Sequence, residues 1–162
     1  MRVGLGYDIH RLTEGRQLVL GGIVVPYELG EEGFSDGDAL IHALIDALLG
    51  AAGLDDIGAH FPDGQDEYRG ISSRILLKRT RSLLEECGCE ITNVDCTVII
   101  ERPKIRPYAD RIRRTLAGDL RVCEHAVSVK AKTKEGFGPV GSGEAVEAYA
   151  VALVRKNCEH LS

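Results

Sequence analysis

The sequence predicts one α+β domain, built on a small mixed β-sheet with helices packed on one face. Strand and helix patterns alternate along most of the chain, but an early hairpin breaks the order expected of a purely parallel sheet. The length of 162 residues suits one domain with its own core. We therefore treat 1–162 as a single domain.

The elements follow from hydrophobic period and turn residues. Strand patterns fall at 2–9, 17–20, 23–25, 91–100 and 125–132, with Gly21-Gly22 as the hairpin turn. Helical patterns fall at about 38–53, 68–87 and 143–156, with a short basic helix around Arg111. The last helix is assigned on its many alanines. An acidic loop follows the first helix, and a glycine-rich loop precedes the last one.

Composition narrows the class of protein. Charged residues make up 28% of the chain and the net charge is −5, so no electrostatic footprint for nucleic acid is present. No apolar run is long enough for a membrane span, and no targeting segment precedes the first strand. The odd cysteine count without a Cys-x-x-Cys pair indicates free thiols in a reducing cytoplasm. The five are Cys87, Cys89, Cys96, Cys123 and Cys158.

Three side chains form a candidate metal site. The first strand alternates, so Asp8 and His10 project from the same face, and helical spacing places His42 opposite the apolar side of the first helix. Two imidazoles and a carboxylate suit zinc, and three protein ligands leave one position open, as in catalytic sites. Helical spacing also places Asp38 and Asp46 one turn either side of His42, where we expect them to orient its ring.

Other roles for the same residues are open at this point. An Asp-x-His pair at a strand end is often a hydrogen-bonded surface pair. A helix histidine such as His42 is often satisfied by a neighbouring acid rather than by a metal.

The segment 130–144 combines lysines, a hydroxyl and glycines. Its G-x-G-x-x-G match is not interpreted as a dinucleotide site, because no strand and acidic residue follow at the required distance. Lysines, Thr133 and exposed backbone amides suit phosphate oxygens, and Glu135 suits a hard cation such as Mg²⁺ on a diphosphate. A flexible loop before a helix is the alternative interpretation.

Several sequence blocks occur in order from Arg2 to Leu153. They are Gly6-Tyr7-Asp8-Ile9-His10, Ser35-Asp36-Gly37-Asp38 through His42, Asp46-Ala47-Leu48-Leu49-Gly50-Ala51-Ala52, Asp56-Ile57-Gly58 with Phe61-Pro62-Asp63, Asn93-Val94-Asp95 leading to Pro103-Lys104, and Thr133, Glu135 and Gly141-x-Gly143-Glu144. Together they resemble the 2-C-methyl-D-erythritol 2,4-cyclodiphosphate synthase family of the non-mevalonate route to isoprenoids.

The resemblance implies a homotrimer with active sites between neighbouring subunits. It implies a phosphorus–oxygen lyase that converts 4-diphosphocytidyl-2-C-methyl-D-erythritol 2-phosphate to 2-C-methyl-D-erythritol 2,4-cyclodiphosphate and releases CMP. The implied cofactors are one Zn²⁺ per subunit and a Mg²⁺ or Mn²⁺ with the substrate diphosphate. The implied partners are this small molecule and two further copies of the chain, without nucleic acid or membrane.

The resemblance also implies roles for individual residues. Asp8, His10 and His42 would bind Zn²⁺, Glu135 would hold the second divalent ion, and Thr133 would hydrogen-bond the phosphate in the transition state. Ser35 would contact phosphate, and the erythritol hydroxyls would be held by Asp56, Gly58 and Asp63, beside Ile57 and Phe61. The cytidine would lie against Ile100, Pro103, Lys104, Ile105, Arg106, Ala131 and Lys132 of the adjacent subunit.

The chain departs from the family pattern at Phe34, at Pro139 and Ser142 in the glycine-rich loop, and at Lys132 and Lys134, which replace hydroxyl residues. Phe34 stands where members usually have a histidine that helps to position phosphate, so one donor is missing. Ser142 stands where members often carry an arginine associated with anion binding along the trimer axis, which weakens the expectation of an isoprenoid-diphosphate ligand there.

Two other functions fit part of the pattern. A metal-dependent phosphohydrolase would use water instead of the internal 2-phosphate as the attacking group. A non-catalytic trimeric binder of isoprenoid diphosphates would keep the fold without the chemistry. Retention of Asp8, His10, His42 and Glu135 favours the synthase over the binder.

Overall fold

The computed structural model describes residues 1–156 and contains a five-stranded mixed sheet with helices on one face. The strands are β1 (Arg2–Glu14), β2 (Leu18–Leu20), β3 (Ile23–Val25), β4 (Leu29–Glu31), β5 (Cys89–Ile99), β6 (Val127–Lys132) and β7 (Ala145–Lys156). The helices are α1 (Ala39–Ala52), α2 (Ile57–His60), α3 (Ser73–Glu86), α4 (Ala109–Leu120) and α5 (Gly138–Gly141).

The sheet has the order β4-β1-β7-β5-β6, in which β5 and β6 are parallel and the other neighbours are antiparallel. Strands β2 and β3 form a separate hairpin, whose turn residues Gly21 and Gly22 both have positive φ. The expected α+β class, the mixed sheet and the hairpin are therefore confirmed. Within residues 1–156, no helix is long and apolar enough to cross a membrane.

Helix α1 packs unusually close to the sheet. A Cβ atom at Gly6 would lie 1.8 Å from the Ala43 carbonyl oxygen, and one at Gly4 would lie 1.9 Å from that of Ala47. On the neighbouring strand β7, small residues again face this helix, and Ala148 is fully buried. Small residues on both sides let the helix approach the strands and bring its side chains close to those of β1.

We expect Gly6→Ala to destabilise the protein by about 2 kcal/mol or more, because the new methyl group would overlap helix backbone that has no room to move. The matched change Gly50→Ala introduces the same methyl group at an exposed position of α1 with no atom within 4 Å. There helix propensity should raise stability by up to about 1 kcal/mol. Urea titration measures both; equal effects would contradict the close approach.

The predicted helix over 143–156 is wrong, since these residues form the central strand β7. The alanines that suggested a helix lie at alternate positions on the buried face, where Ala148, Ala150 and Ala152 are fully covered by helices. Close packing selects alanine here, and this overrides its helix propensity. Residues of the alternate set, including Val151, remain exposed on the other face.

Smaller differences concern the ends of elements. Strand β1 continues to Glu14 and pairs with β4, a short strand that the sequence pattern did not reveal. The second long helix begins at Ser73 rather than near 68, after a 3₁₀ turn at Asp66–Tyr68. The four cysteines among residues 1–156 are free thiols, as expected, while Cys158 lies outside the described residues.

The face of the sheet opposite the helices carries exposed apolar side chains, and we call it the uncovered sheet face. Leu5 on β1 is 69% exposed, and Tyr7 and Tyr149 form a tilted ring pair with centroids 4.9 Å apart. The set comprises Val3, Leu5, Tyr7, Ile9, Tyr149 and Val151. A contiguous exposed apolar face of this kind is typical of interaction surfaces.

Candidate active site

Strand β1 and helix α1 bring Asp8, His10 and His42 together. Asp8 Oδ2 lies 3.1 Å from His42 Nδ1 and 3.3 Å from His10 Nε2, and one ligand atom from each residue lies within 4.8 Å of the others. Gly6, two residues before Asp8, permits the close approach of the helix. Two imidazole nitrogens and a carboxylate oxygen at this spacing fit the donor set of a catalytic zinc site.

Hydrogen-bond acceptors hold the side of the His10 ring that faces away from Asp8. Its Nδ1 donates to the Gly37 carbonyl oxygen at 2.6 Å and lies 3.2 Å from Glu31 Oε2. Burial lowers the pKa of His10, but the hydrogen bond to Glu31 and the charges of Asp8 and Glu31 outweigh it and raise this pKa to about 9. With Nδ1–H so engaged, Nε2 faces Asp8 and the cavity, and it is the nitrogen that would coordinate a metal once its own proton is lost.

The His42 ring is oriented by serines. Its Nε2 lies 2.9 Å from the hydroxyl of Ser73 and 3.2 Å from that of Ser35. Ser73 is buried and donates its own hydroxyl proton to Asp36, so it accepts from His42. This fixes the proton on Nε2 and leaves Nδ1 free to act as a ligand.

Asp38 and Asp46 were predicted to orient the His42 ring, but their carboxylates bind backbone N–H groups instead. The Asp38 carboxylate is fully buried and accepts from the backbone N–H groups of Gly21, Gly22 and Ile41, so it caps helix α1 and ties the hairpin to it. The Asp46 carboxylate accepts from Ile57 N at 2.8 Å, and burial raises its pKa. Helical spacing is compatible with ring contacts, but backbone donors at both positions compete successfully for the carboxylates.

A cavity of about 450 Å³ opens beside the three ligands, and we call it the metal pocket. All but one of the residues that the resemblance assigned to phosphate and erythritol binding are among those that line it: Ser35, Ile57, Gly58, Phe61 and Asp63. Asp56 is the exception, since its carboxylate caps helix α2 through Ala59 N. Asp46 also lines the cavity and adds a carboxylate to its wall.

Phe34 lies on the rim between the metal pocket and a neighbouring cavity. The guanidinium of Arg69 stacks over its ring, with Cζ 4.8 Å from the centroid. Arg69 and Arg16 line the neighbouring cavity, so two cations lie near the position where the family histidine is missing. The sequence pattern had not singled out either arginine for this place.

Another, smaller cavity lies at the ends of β5 and β6, and we call it the strand-end pocket. Every residue that the resemblance assigned to cytidine binding lines it: Ile100, Pro103, Lys104, Ile105, Arg106, Ala131 and Lys132. Thr133 also lines it, and its hydroxyl donates to Glu135 at 2.6 Å. The two residues expected at the diphosphate therefore sit together at the edge of this pocket.

The two pockets lie at the same end of the sheet but on different strands. Cross-strand pairing places Ile9, Glu147, Ile99 and Lys132 in one row, so the metal ligands of β1 are level with the strand-end pocket. Strands β7 and β5 lie between β1 and β6, a separation of about 14 Å at the usual strand spacing. Within one chain the two pockets are therefore separate cavities.

Glu31, Asp36 and Ser73 orient the rings of the candidate ligands His10 and His42, directly or through one another, yet none of them was predicted to do so. Asp36 belongs to one of the sequence blocks that resemble the family. Glu31, in contrast, lies in an unpredicted strand, and Ser73 begins a helix in another part of the chain. No local spacing links them to His10 or His42, so only the tertiary structure identifies them.

Comparison with known proteins agrees with this arrangement. The YgbB family model matches residues 1–155. The 2-C-methyl-D-erythritol 2,4-cyclodiphosphate synthase of Chloroherpeton thalassium is 52% identical over 156 residues, covering 96% of this chain and 99% of the relative. The synthase of the same name from Brachyspira hyodysenteriae is 51% identical over the same length, with the same shares of both chains.

Solved structures show the same fold. A 2-C-methyl-D-erythritol 2,4-cyclodiphosphate synthase in its CDP-bound form superposes with a TM-score of 0.88 at 38% identity, covering 95% of this chain and all of that one. The bifunctional IspDF of Campylobacter jejuni superposes with a TM-score of 0.93 at 34% identity, covering 96% of this chain and 42% of that chain. The chain belongs to the YgbB family, in which these relatives are 2-C-methyl-D-erythritol 2,4-cyclodiphosphate synthases.

Proposed function

We propose that the protein is a 2-C-methyl-D-erythritol 2,4-cyclodiphosphate synthase. It converts 4-diphosphocytidyl-2-C-methyl-D-erythritol 2-phosphate to the cyclic diphosphate and CMP. The observation that carries this is the convergence of Asp8, His10 and His42 on a cavity lined by Ser35 and Asp63. The family membership reported above supports the same reaction.

In this reaction an oxygen of the 2-phosphate bonds to the β-phosphorus, and the bond from that phosphorus to the α–β bridging oxygen breaks as CMP leaves. Catalysis of such a transfer depends on positioning and charge neutralisation rather than on a covalent partner. Ser35, Gly58 and Asp63 hold the phosphate and the erythritol hydroxyls in the metal pocket. The strand-end pocket holds the cytidine, and Thr133 donates a hydrogen bond to the diphosphate.

The side chains identify where cations belong. Asp8 Oδ2, His10 Nε2 and His42 Nδ1 offer the donor set for Zn²⁺, which when bound supplies Lewis acidity and a template for the phosphate. Glu135 is an exposed carboxylate beside Thr133 and would hold Mg²⁺ or Mn²⁺ on the substrate diphosphate. The ring orientations set by Gly37 and Ser73 keep the imidazole nitrogens directed at the first of these sites.

The protein assembles as a homotrimer, in which the strand-end pocket of one subunit meets the metal pocket of its neighbour. The uncovered sheet face supports this, because its exposed apolar side chains need a partner and a second copy offers the same apolar chemistry. The separation of the two pockets within one chain supports it as well. The free thiols among residues 1–156 agree with a cytoplasmic location.

The activity is tested by incubating the protein with the cytidyl substrate and both cations and measuring CMP by chromatography. We expect CMP in proportion to the substrate consumed, and none after zinc is removed by a chelator. Absence of CMP from a protein shown to hold zinc would contradict the proposal.

We expect Phe34→His to raise kcat by about tenfold, because it restores a hydrogen-bond donor to a charged phosphate at the pocket rim. Phe34→Leu is the control, since it removes the ring without adding a donor. Steady-state kinetics measure both variants. An unchanged kcat for the histidine variant would show that another group, such as Arg69 stacked on the ring, already performs this role.

A further inference from the structure

Glu31 is a buried carboxylate in an unusual place. It ends β4, is 0% exposed, and its Oε1 has no hydrogen-bond partner. Its Oε2 contacts the Nδ1 of His10 at 3.2 Å and accepts from Ala39 N at 2.8 Å. Among residues 1–156, the His10 ring is its only ion-pair partner. A buried carboxylate without a full set of partners is unfavourable for folding, so a role outside folding is indicated.

Capping of α1 does not account for this residue. The bond to Ala39 N does satisfy one N–H group at the start of the helix, but Asp38 already serves as the N-cap through Ile41 N. A neutral side chain at position 31 would fill the same buried space without bringing a charge into it. What the carboxylate adds is a negative charge beside His10.

The contacts of the two His10 ring nitrogens indicate what this charge does. The Nδ1–H of His10 points at Gly37 O and Glu31 Oε2, while Nε2 points at Asp8. The Gly37 carbonyl can orient the ring, but only Glu31 offers a carboxylate on its far side. A carboxylate behind a ligating imidazole makes the ring a more basic ligand and fixes its tautomer.

We propose that Glu31 is a positioning residue for the metal: it holds the Nδ1–H of His10, commits Nε2 to coordination and strengthens zinc binding. The inference rests on the proposed metal site of Asp8, His10 and His42. Ionised Asp8 and Glu31 would together place two negative charges beside a bound Zn²⁺. Glu31 itself lies behind the ring and does not touch the substrate.

The test measures zinc affinity rather than turnover. Metal-free wild type, Glu31→Gln and Glu31→Leu are titrated with zinc in competition with a chromogenic chelator. Glutamine keeps an acceptor for Nδ1–H and removes only the charge, whereas leucine removes both. We expect the dissociation constant to rise by about 10-fold or more in the glutamine variant and up to about 100-fold in the leucine variant.

Asp119→Asn is the matched control. Asp119 is also buried, but it pairs with Arg74 and Lys78 between α3 and α4, away from the metal ligands. This variant should lose thermal stability and keep the wild-type zinc affinity. An unchanged zinc affinity in Glu31→Gln, alongside zinc binding by the wild type, would overturn the role of Glu31 alone. Failure of the wild type to bind zinc would overturn the metal site and this inference with it.

Discussion

Asp8→Asn and His42→Ala are each expected to abolish turnover and zinc binding together. Asp8 is the centre of the triad, because its Oδ2 contacts both imidazoles, and His42 supplies the only ligand from the helix. Loss of the cation removes several kcal/mol of charge stabilisation, so turnover should fall by about a thousandfold or more. Zinc content by mass spectrometry and CMP release measure the two effects in the same samples.

The control for these variants is His125→Ala. His125 is exposed in the 3₁₀ turn before β6, at the opposite end of that strand from the strand-end pocket. It should keep zinc, activity and fold. Circular dichroism should show folded protein in all three variants, because the ligands line a cavity and do not fill the core. Full activity in a variant without zinc would contradict the metal assignment.

Leu5→Glu is expected to leave a folded monomer that has lost its activity. Leu5 is 69% exposed in the single chain and lies in the middle of the uncovered sheet face, so the charge harms no packing within the subunit. In the proposed trimer the same charge would be buried without a partner, which costs several kcal/mol at each interface. With the two pockets separated, turnover should fall at least about a hundredfold.

Sedimentation velocity distinguishes the species, because a trimer has about 53 kDa, three times the 17.6 kDa of the chain. Ile75→Glu is the matched control. Ile75 is 44% exposed on α3, on the side of the sheet that the helices cover, so this variant should remain trimeric and active. A fully active Leu5→Glu monomer would contradict the proposal that sites form between subunits.

The three candidate metal ligands could be selected from the sequence because their signals are local. Alternation along β1 places Asp8 and His10 on one face, and helical spacing isolates His42 from the buried side of α1. Helix α1 itself lies between Asp38 and Gly53, the two residues that cap it. The contact between strand and helix is a tertiary fact, but the glycines that permit it are visible in the sequence.

Strand β7 could not be predicted, because its alanines are there for close packing and not for their helix propensity. Ala148 and Ala150 are small, which lets α1 approach the strand. From the sequence alone, alanines selected for such close packing look the same as alanines that favour a helix. The apolar side of β1 is a related case. It faces away from the helices, so the residues that resemble core are the ones that the single chain leaves exposed, Leu5 among them.

The measurement that tests the central claim most directly is phosphorus NMR of the protein with the cytidyl substrate, Zn²⁺ and Mg²⁺. The account predicts a cyclic diphosphate and CMP in equal amounts, because the 2-phosphate held in the metal pocket attacks within the same molecule. Release of inorganic phosphate or an open-chain diphosphate, with no cyclic product, would show that water is the attacking group. That result would contradict the synthase assignment and favour a metal-dependent phosphohydrolase.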